Sequence, residues 1–189
     1  MPRPATLPLI DWKDVFDSGL TYDAWLAAAE SAEQRGKIEV QRAALALDPQ
    51  AAGFMAALPR PVHVVAIAED WCGDVVRHAP VLQRLAEAGS NLKVRYLSRE
   101  QHPDVFVRFL TNGGEAIPKF IFLSDRFVEC GNWGPMPNSC KELIARGKAC
   151  GDVAAARKKV AARYQQDPVC REVVAELLQL VDIAVSREP

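Results

Sequence analysis

The sequence lacks any apolar stretch of the roughly 18 residues that a membrane-spanning helix needs, and it lacks an excess of charge of either sign. Its 23 Lys and Arg residues are balanced by 24 Asp and Glu residues, which gives a formal net charge of −1. A chain so balanced has no overall electrostatic reason to bind a phosphate backbone or an anionic lipid surface. We therefore predict that the protein binds neither nucleic acid nor membrane.

The first residues also lack the apolar segment of a secretory signal, since Pro2, Pro4 and Pro8 interrupt them. The five cysteines are an odd number in a chain too long to depend on disulfides. This usage predicts a cytoplasmic protein with reduced thiols. No cysteine pair has the spacing of a zinc site, so we expect no metal and no cofactor.

What the sequence does have is enough apolar character, 49% of 189 residues, to bury a core, which excludes disorder. Amphipathic helical patterns fill residues 1–60, and Pro59-Arg60-Pro61 ends them. We predict a helical extension over 1–60, a core domain over 61–147 and two further helices over 148–189. The last helix carries a wide apolar stripe, which predicts packing on the core or on a second copy in a homodimer.

The pattern of the central region predicts an α/β domain. Short apolar or alternating runs predict strands, and amphipathic segments between them predict helices. The predicted strands are 62–68, 92–97, 119–123 and 127–130, and the predicted helices are 72–88, one opening at Pro103, and 138–146. The resulting order is βαβαββα.

One segment of this region carries chemistry, because Trp71-Cys72-Gly73 lies where a buried strand gives way to a helix. Unpaired N–H groups at a helix start favour a thiolate. The segment resembles the start of the Trp-Cys-Gly-Pro-Cys signature of the thioredoxin family. Pro80, Ile117-Pro118 and Gly131–Pro135 also fall where that family has a helix kink, a cis-proline and a turn beside the thiol.

The resemblance implies a thioredoxin-like fold, with a mixed sheet in the βαβαββα core, framed by helical extensions at both ends. It also implies the residues of the site. Cys72 would be the nucleophile and Asp74 an acid that tunes its charge. The resemblance further implies a partner-binding groove lined by Trp71, Gly73, Ile117, Pro118 and Trp133.

Two departures from the family pattern bear on function. Val75 replaces the second cysteine, and Ala66 stands where the family keeps a buried carboxylate in the central strand. A dithiol oxidoreductase needs the second sulfur to resolve its mixed disulfide. The sequence therefore favours thiol-disulfide exchange through one thiol, with a protein disulfide or a glutathione-like thiol as partner. The alternative is a non-catalytic module that recognises a peptide or protein in the same groove.

Two points stay open at this level. The helix dipole lowers the pKa of Cys72, but Glu69, Asp70 and Asp74 oppose it by comparable amounts, so the sign of the net shift is undecided. Asp74 itself either stabilises the helix start or acts beside the sulfur. The other four cysteines (Cys130, Cys140, Cys150 and Cys170) are small apolar residues, or one of them resolves a disulfide with Cys72.

Overall fold

The computed structural model describes residues 7–188. Nine α-helices and four strands occur in that range: α1 (Trp12–Asp17), α2 (Tyr22–Ala27), α3 (Ala32–Ala44), α4 (Pro49–Ala56), β1 (Val62–Ile67), α5 (Gly73–Ala88), β2 (Leu92–Leu97), α6 (Pro103–Phe106), β3 (Lys119–Leu123), β4 (Glu129–Trp133), α7 (Asn138–Cys150), α8 (Val153–Gln166) and α9 (Arg171–Val185). A short 3₁₀ turn, Val107–Phe109, follows α6. No helix of residues 7–188 is long and apolar enough to cross a bilayer.

The four strands form one mixed sheet in the order β2-β1-β3-β4. β1 and β2 are parallel, because α5 carries the chain back between them, whereas β3 pairs antiparallel with β1 and β4 antiparallel with β3. Helices cover both faces of the sheet, and α3 and α4 pack on α5. The fold is the thioredoxin-like βαβαββα core, with helical extensions at both ends, as predicted.

The register of the sheet brings the two halves of the site together. Ile67, the last residue of β1, pairs with Lys119, the first residue of β3. The strand that precedes Cys72 therefore ends beside the start of the strand that follows Pro118, at the same end of the sheet. Residues 45 positions apart in the chain meet there because β1 and β3 are antiparallel neighbours.

Two elements differ from their predicted bounds by more than one residue. β4 covers Glu129–Trp133 instead of 127–130, because Phe127 adopts a left-handed φ of 59° and stacks on His63 at a ring-centroid distance of 4.1 Å. α7 continues past Gly147 to Cys150 and ends at Gly151, where φ is 79°. Gly147 is a packing residue, since a Cβ there would lie 2.5 Å from the Cβ of Ala156 on α8.

The apolar stripe of the last helix is covered by the chain itself. α9 contacts β4, β3, β1 and α5, and it buries Val173, Val174, Leu177, Val181 and Ala184. Burying such a stripe stabilises the fold by about 1.5–3 kcal/mol for each large side chain. These residues of the stripe therefore pack on the core domain.

Candidate functional site

Cys72 is the N-cap residue of α5. A tight turn places it there, in which the Cys72 N–H donates to Glu69 O at 3.1 Å, and its extended backbone (φ −81°, ψ 124°) precedes the first helical residue. The Cys72 side chain makes no capping hydrogen bond. The backbone N–H groups of Asp74 and Val75, which belong to the unpaired N–H groups that begin every α-helix, act on the thiol by lowering its pKa.

The sulfur of Cys72 faces the start of β3. Its thiol donates to the carbonyl oxygen of Ile117 at 3.4 Å, and the Ile117–Pro118 peptide bond is cis. Cys72 is partly exposed, whereas Ile117 and Pro118 are buried. A half-buried thiol beside a main-chain carbonyl is thus the centre of the site.

The loop that follows β4 closes on the other side of Pro118. Gly134 has a φ of +123°, and a Cβ at this position would lie 2.0 Å from the carbonyl oxygen of Pro118. A left-handed backbone in such close contact requires glycine. Gly134 therefore supports the segment that carries Ile117.

The pKa of Cys72 is raised above that of an ordinary thiol. Burial is the largest cause, and the charge of Asp74 adds to it. The N–H groups of Val75 and Asp74 and the charge of Arg99 lower the pKa without cancelling these effects. The effect of desolvation on the pKa thus outweighs that of the N–H groups at the helix start, and the thiol form predominates at neutral pH.

Asp74 is held by the C-terminal helices. The hydroxyl of Tyr164, on α8, donates to Asp74 Oδ1 at 2.9 Å. Burial raises the pKa of Asp74, while this hydrogen bond and the charge of Arg77 lower it. Arg77 also stacks on the Tyr164 ring at 4.4 Å and donates to the carbonyl oxygen of Asp167, which anchors the end of α8 to α5.

The other two acids of the segment face backbone groups. Glu69 Oε1 accepts the N–H of Arg99 at 2.9 Å, and Asp70 Oδ2 accepts the N–H of Glu30 at 3.1 Å. Asp70 thereby ties the loop after α2 to the site. Of the three acids in this segment, Asp74 is the one whose charge raises the pKa of Cys72.

The predicted groove residues differ in exposure. Trp71 is 51% exposed, and the side of Gly73 where a Cβ would project is open. Trp133 is 3% exposed, with its ring stacked on Phe120 and its indole N–H donating to Glu176 at 2.6 Å. Trp71 and Gly73 are therefore accessible to a partner, whereas Trp133 is buried against Phe120.

Each of the five cysteines is a free thiol. Cys140 and Cys170 are buried on or beside the C-terminal helices, and Cys150 is exposed at the end of α7. Cys130 lies on β4, where its thiol donates to Val128 O at 3.2 Å. β4 runs so that Trp133, and not Cys130, is at the Pro118 end. Cys130 thus lies toward the opposite end of the strands from Cys72.

Two residues of the site were missed by sequence reasoning. Arg99 follows β2, and its guanidinium lies 5.1 Å from the centre of the Trp71 ring. Its position could have been predicted from the parallel pairing of β1 and β2, because the carboxyl ends of parallel strands lie at the same end of the sheet. Tyr164 lies within the basic helix α8 and carries no local signal.

The Asp74 charge gives a testable pH dependence. In the wild-type protein, we expect the alkylation rate of Cys72 to rise with a midpoint above that of a free cysteine, because its pKa is raised. Asp74→Asn removes a charge that raises this pKa and keeps the backbone N–H. The midpoint should fall and the rate at pH 7.5 should rise by about two- to fivefold.

The measurement is iodoacetamide labelling of the Cys72 peptide, followed by mass spectrometry between pH 6 and 11. Asp23→Asn is the matched control, since Asp23 is also a first-turn acid, on α2. An unchanged or higher midpoint in Asp74→Asn would show that the Asp74 charge does not act on the sulfur.

Comparison with known proteins gives the same fold. A family model described as thioredoxin matches residues 19–156. A crystal structure of a protein of unknown function from Pseudomonas aeruginosa is similar with a TM-score of 0.70 and 17% identity, over 92% of this chain and 98% of that one. A structure described as an HIV epitope scaffold has a TM-score of 0.71 at the same identity and coverage. No curated protein matches the chain.

Proposed function

The chain belongs to the thioredoxin family, and from this premise we propose that it performs thiol-disulfide exchange through a single thiol, Cys72. The observation that carries the proposal is the position of that thiol, which belongs to the N-cap residue of α5 and lies 3.4 Å from Ile117 O. The side chain that replaces a second cysteine, Val75, is fully buried and has no sulfur. Exchange would therefore stop at a mixed disulfide until an external thiol arrives.

The proposed reaction has two steps. The Cys72 thiol loses its proton to solvent, and its sulfur attacks a disulfide, RS–SR′. A bond forms between Cys72 and RS, and R′S⁻ leaves and takes up a proton. A second thiol, such as glutathione in a cytoplasmic setting, then attacks the mixed disulfide, regenerates Cys72 and leaves as a disulfide with RS.

The surroundings of Cys72 support a disulfide on a protein or peptide as the partner. Trp71 and Gly73 leave one side of the sulfur open, and Arg99 provides a positive charge near a developing thiolate. The main chain at Ile117 precedes β3 and would align an extended peptide by strand-like hydrogen bonds. The raised pKa of Cys72 predicts slow exchange at neutral pH, because the thiolate is the nucleophile.

The same raised pKa favours a second candidate function, a module that binds an extended peptide without chemistry. Ala66 is fully buried between Tyr96 on β2 and Phe120 on β3, so the central strand has no carboxylate to move protons. In this case the groove at Trp71 and Ile117 would serve recognition alone.

A deglutathionylation assay separates the two functions. The substrate is a peptide that carries a glutathione mixed disulfide, and glutathione disulfide production is followed in the presence of glutathione. We expect the wild-type protein to accelerate this reaction and Cys72→Ser to return it to the rate without protein. Cys150→Ser, which removes an exposed thiol outside the site, should keep the wild-type rate.

Two outcomes would overturn single-thiol exchange. One is an equal acceleration by wild type and Cys72→Ser. The other is no acceleration by either, together with equal binding of the reduced peptide by both, which is the result expected of the binding module.

A further inference from the structure

A second concave site lies beside the cis-proline loop. It is an open cavity of about 430 Å³ between the segment that leads into β3 and one face of α7. Its volume is within the range of small-molecule sites. We call it the lysine pocket, because Lys141 and Lys148 line it and Lys119 lies behind its wall.

The lining of the lysine pocket is mostly apolar. Pro135 and Met136 form one side, and Ile144 and Ala145 lie on α7. Positions 141, 144, 145 and 148 are three or four residues apart, so they share one helix face. The face therefore presents an apolar centre with an ammonium group at each end.

Lys119 adds a buried positive charge behind this wall. It is 4% exposed, and its Nζ donates to Thr111 Oγ1 at 3.1 Å and to Gly134 O at 3.3 Å. Thr111 itself lines the pocket. Burial and the neighbouring Lys141 charge lower the pKa of Lys119 to about 8, which indicates that no anion compensates it.

The acids near the pocket are already engaged. Glu142, which also lines the pocket, pairs with Arg146 on the same helix, and the Glu176 carboxylate accepts from Trp133 Nε1 and the Asn138 N–H. Within residues 7–188, none of Lys119, Lys141 and Lys148 makes an ion pair with a carboxylate, although the Glu176 charge raises the pKa of Lys141 against the larger effect of burial. Lys119 is hydrogen-bonded to a hydroxyl and a carbonyl group but faces no carboxylate, so its charge adds to the charges of Lys141 and Lys148 and favours a ligand of opposite charge.

We infer that the lysine pocket binds a small monocarboxylate with an apolar tail. The carboxylate would lie near Lys141 and Lys148, with Lys119 behind it, and the tail would cover the Pro135, Ile144 and Ala145 surface. A phosphate ester fits less well, because the lining has no arginine and no helix N-terminus, the groups that usually bind phosphate through several N–H donors. This inference is independent of the thiol chemistry at Cys72.

Octanoate is the probe that tests the inference, by isothermal titration calorimetry at pH 7 on the full chain. We expect one-to-one binding to the wild-type protein. The double variant Lys141→Gln/Lys148→Gln should bind about tenfold more weakly, since each partly exposed ion pair contributes up to about fivefold. Lys158→Gln, an exposed lysine on α8, is the matched control and should bind like wild type.

Octanamide, a neutral analogue of the same shape, and inorganic phosphate complete the experiment. Octanamide should bind more weakly than octanoate by a similar factor. The inference would be overturned if octanoate and octanamide bound equally, or if the double variant bound octanoate as tightly as wild type. It would also be overturned by no octanoate binding at 5 mM, which is roughly the dissociation constant expected for so small a ligand. Tighter binding of phosphate than of octanoate would also overturn it.

Lys119→Met provides a second measurement that does not depend on the exposed lysines. Met has a similar length and no charge, so it should weaken octanoate binding, while any fall in the melting temperature of the ligand-free protein reports the lost hydrogen bonds to Thr111 and Gly134. Octanoate binding equal to that of wild type would show that the buried ammonium does not act on the ligand.

Discussion

Gly134→Ala is expected to lower the free energy of unfolding by about 2–4 kcal/mol, because it combines backbone strain with a direct clash. The new Cβ would lie 2.0 Å from the carbonyl oxygen of Pro118, at a φ of +123°. The neighbours are backbone atoms, so no side chain can move aside. Relief of the clash would require the segment at Ile117 and Pro118 to shift, and with it the carbonyl that contacts Cys72.

Thermal unfolding followed by calorimetry measures this effect. For a chain of this size, the expected loss corresponds to a fall in melting temperature of about 5–15 °C. Gly36→Ala is the control: it lies within α3, and a Cβ there meets nothing within 4 Å. It should stabilise the protein by about 0.5–1 kcal/mol. A Gly134→Ala variant as stable as wild type would refute the close contact between the two loops.

Val75→Cys is expected to convert the site to a dithiol centre. Position 75 lies three residues after the N-cap residue Cys72, in the first turn of α5, so a thiol there starts within reach of the Cys72 sulfur. Intramolecular reactions reach effective molarities of about 10⁵ M. Even a small fraction of that value would resolve a mixed disulfide at least about 100-fold faster than external glutathione at millimolar concentration.

Two measurements check this prediction. The oxidised variant should contain two fewer titratable thiols than its reduced form, and it should reduce insulin in the presence of dithiothreitol far faster than wild type. Cys72→Ser/Val75→Cys is the control, since it carries the same buried substitution without the partner sulfur, and its insulin reduction should not exceed the wild-type level. Failure to form the disulfide would mean that the first turn of α5 does not bring positions 72 and 75 together.

Most of the fold was predictable because its signals are local. Apolar runs mark β1 and β3, and the capping residues Thr21 and Asp48, which are typical of helix starts, precede α2 and α4. The boundaries that differed involve long-range contacts. α7 passes through Gly147 because α8 packs against it at that point, and no pattern within the helix reports that neighbour.

The candidate site was predictable in its centre and not in its surroundings. The junction of strand and helix locates Cys72, and the motif at Ile117-Pro118 locates the facing segment. Tyr164 reaches Asp74 from 90 positions away, and Trp133 is covered by α9 through Glu176. Such contacts depend on where the last two helices pack, which their amphipathic patterns do not specify.

The sequence by itself determined the fold class, the edge of the sheet that carries the thiol and the absence of a second sulfur at position 75, since each depends on residue type and short-range spacing. The tertiary structure alone decided that the pKa of Cys72 is raised and that a buried lysine lies without an acid beside the lysine pocket. The physical reason is that desolvation and charge interactions act through space. They depend on which distant segments exclude water from a group, and residue order does not record that.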